Sequence, residues 1–415
     1  MSRTKRGDGM TRITRARLAL VVVAVAAGVL AATAAARTDT AAVKQAKKPI
    51  VIGAVIDTTK SMAPFDAPAL LAAKLEIKAI NAKGGVNGRP LKIVSLNDQL
   101  DPAKTKQFAV QMLQKKVDIG WVTCDVNYAA PAAQEFLNAG KLTIAPCLGT
   151  DELSPIRFGA KGKLGFSFGN AAQDEGAAAA EFAYKSKGWH SAVVVTDNLL
   201  RYFQDVCKAF TVRFQQLGGK IVAQESFTQG DKTINNVVSK VNGEKSDVIA
   251  FCTSFGADQP AFVSGLRSLH NDTPIINGWA SDGNYWWPKN PPVTNFWYLT
   301  YASVWGDDPS AKVRAFEAQM KAAGQPAQTG GFLGGAAAID GIAAAIKQAG
   351  GSTNGAKLAS IMVKFHNLPT LSGNVSFSAK LHTVFGRAYR VIDIENNKAH
   401  FVKLQTASSP ANIGR

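Results

Sequence analysis

Apolar runs of strand length alternate with helix-patterned segments along most of the chain. "IVIGAVI", "LKIVSL", "IGWVT" and "LTIA" are separated by apolar residues at helical spacing near Ala67–Ala82, Pro102–Lys115 and Ala129–Asn138. That alternation predicts an α/β sheet with parallel strands. A second series repeats it. Helices near Gln173–Lys187, Tyr202–Leu217, Thr233–Asn242 and Gln259–Leu269 are interleaved with "SAVVVT", "KIVAQESF", "DVIAFCT" and "PIIN". A third part opens on "NFWYLTYASV", continues through helices near Ala311–Ala323, Gly334–Gln348 and Gly355–His366, and ends in "NVSF" and "YRVIDI". These strands are too few for a third sheet, so the last part completes the first two. A body of about 370 residues is also too long for one core and predicts two domains. Repeated crossing between them would set the carboxyl ends of both sets of strands around one cleft, where open α/β sheets bind ligands.

The glycine-rich stretch "INAKGGVNGRPLKIVSLNDQLDP", Ile80–Pro102, tests whether that ligand is a nucleotide. Phosphate-cradling glycines follow a strand and open a helix. Here they follow a helix and lead into a strand, so Gly84 and Gly85 are expected to end the helix in left-handed backbone.

The N-terminus changes the picture of charge. Arg3, Lys5, Arg6, Arg12, Arg15 and Arg17 precede "LALVVVAVAAGVL" and the small-residue run "AATAAAR". This is the pattern of a secretory signal with cleavage after Ala36, and the uncharged run 18–36 leaves an uncleaved anchor as the alternative. The formal charge of +17 falls to +12 without residues 1–36 and to about +9 without the basic stretch 37–48. What remains is spread along the chain, with no basic stripe interleaved with aromatics, so no nucleic-acid partner is expected.

Three features raise enzymatic or metal chemistry. "GFSFG", Gly165–Gly169, matches the nucleophile elbow of serine hydrolases, but "RFGAKGK" before it is no buried strand, and a secreted serine hydrolase stays a remote alternative. His190, His270, His366, His382 and His400 form no helical pair and no Cys/His cluster, so neither a metal nor another cofactor is expected. The tryptophans of "NGWASDGNYWWPKNPP" serve either as an aromatic ligand platform or as packing over the second lobe.

Together with "IAPCLGTDEL", "DPSAKVRAFEAQM" and "GNVSFSAKLHTVFGRAYRVIDIENNKAHFV", the Ile80–Pro102 stretch resembles the type I periplasmic solute-binding proteins of ABC transporters, in their branched-chain amino acid group. The resemblance covers about residues 48–403. It implies two lobes, each a parallel sheet flanked by helices, joined by a multi-strand hinge. It also implies capture of a small polar solute, such as a branched-chain amino acid or amide, for a membrane permease. The same fold could instead serve as a sensor feeding a membrane receptor. The expected limits are 1–36 signal peptide, 37–48 flexible basic linker, 49–167 with 296–372 first lobe, 168–295 with 373–408 second lobe, and 409–415 disordered tail. The protein is expected outside the cytoplasm, in the periplasm or at the cell surface, as a monomer.

Family positions carried onto this chain give the candidate ligand contacts. Thr58, Ser61 and Phe65 follow the first strand, and Asp125 follows Cys124 where the family commonly has a serine. Cys147, Gly149 at the family's threonine position, and Thr150 follow the fourth strand. Tyr202, Phe255 and Asp282 belong to the second lobe, Asp282 standing three residues beyond the family's ligand-binding acid, whose place falls at Trp279. Asp125 either faces the cleft, where it would repel a ligand carboxylate, pairs with Lys60, or caps the following helix. Four cysteines allow three pairings, of which Cys124 with Cys147 and Cys207 with Cys252 keeps each bond within one lobe. The family's usual partner for Cys124 would stand at Leu100.

Overall fold

The computed structural model describes residues 47–254 and 256–414, so the expected signal peptide and linker lie outside the described residues except for Lys47 and Lys48. Among the described residues no helix is long and apolar enough to cross a membrane.

The first series builds one six-stranded sheet. Strands β1 (Ile50–Ile56), β2 (Leu91–Asn97), β3 (Ile119–Val122), β4 (Thr143–Ala145) and β5 (Gly165–Asn170) alternate with helices α1 (Ala63–Ala82), α2 (Pro102–Gln114), α3 (Val126–Asn138) and the short α4 (Pro155–Phe158). Helix α5 (Ala172–Glu181), β6 (Ser191–Asp197), α6 (Arg201–Gln216), β7 (Lys220–Phe227), α7 (Ile234–Gly243), β8 (Val248–Cys252), α8 (Asp258–Ser268), β9 (Ile275–Asn277) and β10 (Phe296–Thr300) build the second. The chain then runs through α9 (Ala311–Ala322), α10 (Phe332–Gln348), α11 (Gly355–Met362), the hairpin β11 (Leu368–Thr370) and β12 (Gly373–Val375), β13 (Thr383–Val384), β14 (Tyr389–Glu395) and β15 (Lys398–Gln405).

Sheet order is β13-β5-β4-β3-β1-β2 in the first lobe and β15-β14-β10-β9-β8-β6-β7 in the second. The five-strand sets β2-β1-β3-β4-β5 and β7-β6-β8-β9-β10 are parallel and share one order, while β14 and β15 add antiparallel to the second. Strands β3, β8 and β10 are buried along their whole length, which is why they read as unbroken apolar runs and not as alternating ones. Gly84 and Gly85 have φ of 95° and 72° at the end of α1, and the Gly85 N–H returns to the Ile80 carbonyl at 3.0 Å, the helix stop anticipated above.

The expected crossing points shift. The chain leaves the first sheet after β5, whose six residues are buried to Asn170. It returns after β10, which lies beside β9 in the second sheet, so 296–300 does not belong to the first lobe. β12 and β13 remain with the first lobe, where Val375 and Val384 join its core, and the final crossing falls between β13 and β14. Periodicity reports that a run is a strand and is silent on which sheet receives it. The three crossings touch one another: Asn170 N–H donates to the Tyr301 hydroxyl at 3.1 Å and Ala171 N–H to the Val384 carbonyl at 2.7 Å. The expected tail from 409 is ordered as far as 414. Ala411 and Ile413 are buried, Ala411 N–H donates to the Gln173 carbonyl at 2.9 Å, and Ser408 gives Glu181 both its N–H and its hydroxyl.

Candidate functional site

Both sheets change winding direction beside β1 and β6, and open α/β sheets bind ligands beyond the carboxyl ends of strands at such a point. A pocket lies there. Met62, Phe65, Cys124, Asp125 and Gly149 wall it from the loops after β1, β3 and β4 and the first turn of α1; Leu200, Tyr202, Phe203, Ser254, Trp279 and Ala280 wall it from the loops after β6, β8 and β9 and the first turn of α6. It encloses about 300 Å³ of space open to solvent. Roomier hollows exist, such as that over Val194, Lys208 and Ser226, but that one belongs to a single lobe.

Each wall is held by buried carboxylates. Asp57, at the end of β1, accepts from the N–H groups of Thr59, Lys60 and Met62, folding the loop into a tight turn. Asp66 on α1 accepts from Cys124 N–H at 2.9 Å, from Asp57 N–H at 3.1 Å and from the Thr123 hydroxyl, and so ties the loop after β1 to the loop after β3. Burial pushes its pKa up to about 8 against the pull of these donors. The disulfide Cys124–Cys147, with Cα atoms 4.8 Å apart, joins the loops after β3 and β4, while Cys207–Cys252, at 5.8 Å, fastens α6 to β8.

The two lobes meet through aromatic rings. Phe65 of the first lobe packs against Trp279 of the second with centroids 4.8 Å apart and planes at 84°, and Trp279 stacks on Tyr301 at 5.0 Å. Tyr202 lies over Gly149, where an added Cβ would come within 2.4 Å of its ring. Its hydroxyl donates to Glu175 Oε1 at 2.7 Å, and the same oxygen accepts the Trp279 N–H at 2.7 Å. Glu175 therefore sits directly behind two pocket-lining residues, fully buried, with its pKa pushed by burial to about 8. Among the described residues its Oε2 has no partner, and neither does the Trp279 indole N–H.

Of the candidates read from the sequence, Phe65, Asp125, Gly149 and Tyr202 line this pocket, and Cys147 lies behind it, buried in its disulfide. Asp125 also caps α3: its carboxylate accepts the Asn127 N–H at 2.8 Å, and burial raises its pKa to about 6. The capping role expected as one alternative and the position at the cleft coexist. Asp282 does not join the pocket. Its carboxylate takes the Thr300 hydroxyl, Gly330 N–H and Gly283 N–H, binding the loop after β9 to the end of β10 and the approach to α10. Ser61 and Thr150 are also absent from its walls. Thr150 is buried with its hydroxyl unpartnered among the described residues. Phe255 lies outside the described residues.

The tryptophan-rich loop divides its roles. Trp279 faces the pocket, whereas Trp286 donates to the Ser281 carbonyl at 2.8 Å and Trp287 stacks on Trp305 at 5.2 Å. Ser167 of "GFSFG" lies inside β5 and donates to the Leu148 carbonyl at 2.5 Å, so the motif is a sheet strand and not a nucleophile elbow. Sequence reading missed Met62, Leu200, Phe203, Ser254 and Ala280 in the walls, and Glu175 behind them. Only Glu175 carried a signal: it and Asp174 are acids at the start of a helix otherwise dominated by small residues, "AAQDEGAAAAE".

Two α/β lobes joined by three crossings, with an aromatic pocket between them, have the architecture of two-lobed binding proteins, a class that closes on its ligands by hinge motion. The chain belongs to the periplasmic binding protein family, whose model matches residues 49–399. This is a family of solute-binding proteins of ABC transporters, exported and working with membrane permeases, and not of enzymes. The chain is 23% identical to the Leu/Ile/Val-binding protein BraC3 of Rhizobium johnstonii over 79% of its own length and 87% of that protein. Among solved structures it resembles the branched-chain amino acid transporter substrate-binding protein LivJ of Streptococcus pneumoniae in complex with isoleucine (21% identity, 86% of this chain, 99% of that one, TM-score 0.70). A solute-binding protein of R. palustris in complex with benzoate is as similar in fold (18% identity, 88% and 98% covered, TM-score 0.70).

Proposed function

We propose that the chain is the extracytoplasmic solute-binding subunit of an ABC importer, directed out of the cytoplasm by its basic, apolar N-terminal segment and acting as a monomer. It captures a small solute with an apolar body and a polar head, such as a branched-chain amino acid, an amide or a related compound, and presents the closed form to its permease. The observation that carries this reading is the shared pocket: Phe65 from one lobe and Trp279 from the other meet over it, so a bound solute is buried only when the lobes close.

A thermal-shift screen against amino acids, amides, polyamines, sugars and aromatic acids tests it. A ligand present at a hundred times its Kd stabilises the protein by about 2.7 kcal/mol, enough to raise the unfolding temperature visibly. One of these classes should do so. A flat response to all of them would contradict the reading.

A further inference from the structure

The exposed charges of the two lobes differ in kind. Among the described residues of the first lobe, 47–170 and 309–384, no carboxylate is exposed, whereas lysines stand exposed on α1, α2, α9, α10 and α11. Asp307, exposed in the turn after β10, is turned to the second lobe, where it accepts the Phe401 N–H at 2.7 Å. The second lobe exposes both signs, with Asp231, Glu244, Asp247 and Asp272 among its lysines.

Folding does this sorting. The carboxylates of the first lobe serve its backbone: Asp101 caps α2 through the Ala103 and Lys104 N–H groups, and Asp118 accepts the Val51 N–H at 2.9 Å and the Thr353 hydroxyl at 3.1 Å. Lysines need only reach water. A net charge that is spread evenly along the sequence thereby becomes a cationic lobe.

The lysines gather at one end of it. In a parallel α/β lobe each helix ends where the next strand begins, so helix ends collect at the base of the sheet, away from the cleft. Lys83 ends α1, Lys115 ends α2 with Lys116 beside it, and Lys347 lies in the last turn of α10. Lys83 and Lys347 border one hollow with Asn87, whose carbonyl accepts from the Lys47 ammonium at 3.0 Å. The basic stretch 37–48 therefore enters the lobe at the same place. Among the described residues none of these ammonium groups forms an ion pair, and Glu76 and Asp340 act on Lys83 only from beyond contact.

We infer that the base of the first lobe is a docking surface for an anionic phospholipid membrane. Its exposed cations are lysines, mobile point charges that suit a smeared layer of headgroups better than one fixed phosphate or carboxylate. Arg89, the guanidinium at the base, is already bonded to the carbonyls of Lys48, Pro49 and Gly351. No large aromatic is exposed there among the described residues, so a nucleic acid finds nothing on which to stack. Each lysine near an anionic membrane contributes about 1 kcal/mol, within a Debye length of about 8 Å at physiological salt. Such contacts hold the protein close to the permease's membrane without fixing it. Because they lie on one lobe and away from the cleft, hinge motion and solute entry stay free.

Co-sedimentation of the exported protein with vesicles tests this, using phosphatidylcholine alone and phosphatidylcholine with about one third phosphatidylglycerol. The wild type should partition to the anionic vesicles at least about tenfold more strongly at low salt, and about 0.5 M salt should abolish most of the difference. A variant combining Lys83→Gln, Lys115→Gln, Lys116→Gln and Lys347→Gln should bind the anionic vesicles at least about tenfold more weakly. The same change in net charge on the second lobe, by Lys208→Gln, Lys220→Gln, Lys232→Gln and Lys245→Gln, should weaken binding less than about threefold. All three proteins carry the same N-terminal segment, so a difference between them belongs to the lobes, and thermal unfolding checks that each is folded. Equal partition of the wild type to both vesicles, no loss in the first variant, or equal losses in the two variants would each overturn the inference. Wild-type binding to duplex DNA or polyglutamate, with none to the vesicles, would overturn it as well.

Discussion

Gly149→Ala should lower ligand affinity on the order of a hundredfold while leaving the unfolding temperature of the empty protein nearly unchanged. The backbone at Gly149 is not left-handed, so alanine is not strained by its own conformation. The added Cβ, however, would stand 2.4 and 2.5 Å from two ring carbons of Tyr202. Gly149 belongs to the first lobe and Tyr202 to the second, so the conflict arises only as the lobes close. Tyr202 must then swing away from Glu175. Losing a hydrogen bond to a buried carboxylate costs about 1.5–3 kcal/mol, and crowding a packed contact adds about 1–3 kcal/mol. The cost falls on the closed state, hence on binding and not on folding. Calorimetric titration beside thermal unfolding separates the two, and full affinity in Gly149→Ala would show that the lobes bind solute without Tyr202 over Gly149.

Arg390→Met should have the largest effect on stability, about 3–5 kcal/mol. Arg390 on β14 donates Nε to Asp308 Oδ2 at 2.9 Å and Nη2 to Oδ1 at 3.2 Å, with side-chain exposures of 9% and 0%. Asp308 also accepts the Ser303 and Ser310 N–H groups at 2.9 Å each, shaping the turn that leaves β10 for the first lobe. Removing the guanidinium strands a fully buried carboxylate, which is worse than never having placed the pair there. Denaturant unfolding of the single variants and of Arg390→Met with Asp308→Asn completes the cycle. The double variant should recover part of the loss; additive losses would show that the two side chains are not coupled.

The fold was legible because the buried parallel strands are unbroken apolar runs set between helix-patterned segments, and "DVIAFC" or "FWYLT" has no alternating reading. Helix limits came within a few residues at most ends, but α1 and α3 start earlier, at Ala63 and Val126, and α5 and α11 stop short of the expected ends, at Glu181 and Met362. The crossing points were not legible, because β10 and β13 are short and their partners are set by tertiary packing. At the site, positions next to strand ends were readable: Phe65, Asp125, Gly149 and Tyr202 all follow carboxyl ends of strands. Asp282 misled because an acid one turn beyond the expected place was equally able to fold inward onto Thr300 and Gly330. Glu175 escaped because it comes from the helix after a crossing, on the far side of Tyr202 and Trp279, and reaches the pocket only through them.

The most direct measurement is a calorimetric titration of the wild type and Trp279→Ala with whichever solute the thermal-shift screen identifies. Trp279 is the ring that meets Phe65 across the cleft and stacks on Tyr301 at the hinge. Aromatic anchors of this kind account for about 2 kcal/mol or more of a binding free energy. The expected result is one site per chain in the wild type and an affinity at least about thirtyfold weaker in the variant, with both proteins folded. Equal binding by the two would place the solute elsewhere and contradict an interlobe site.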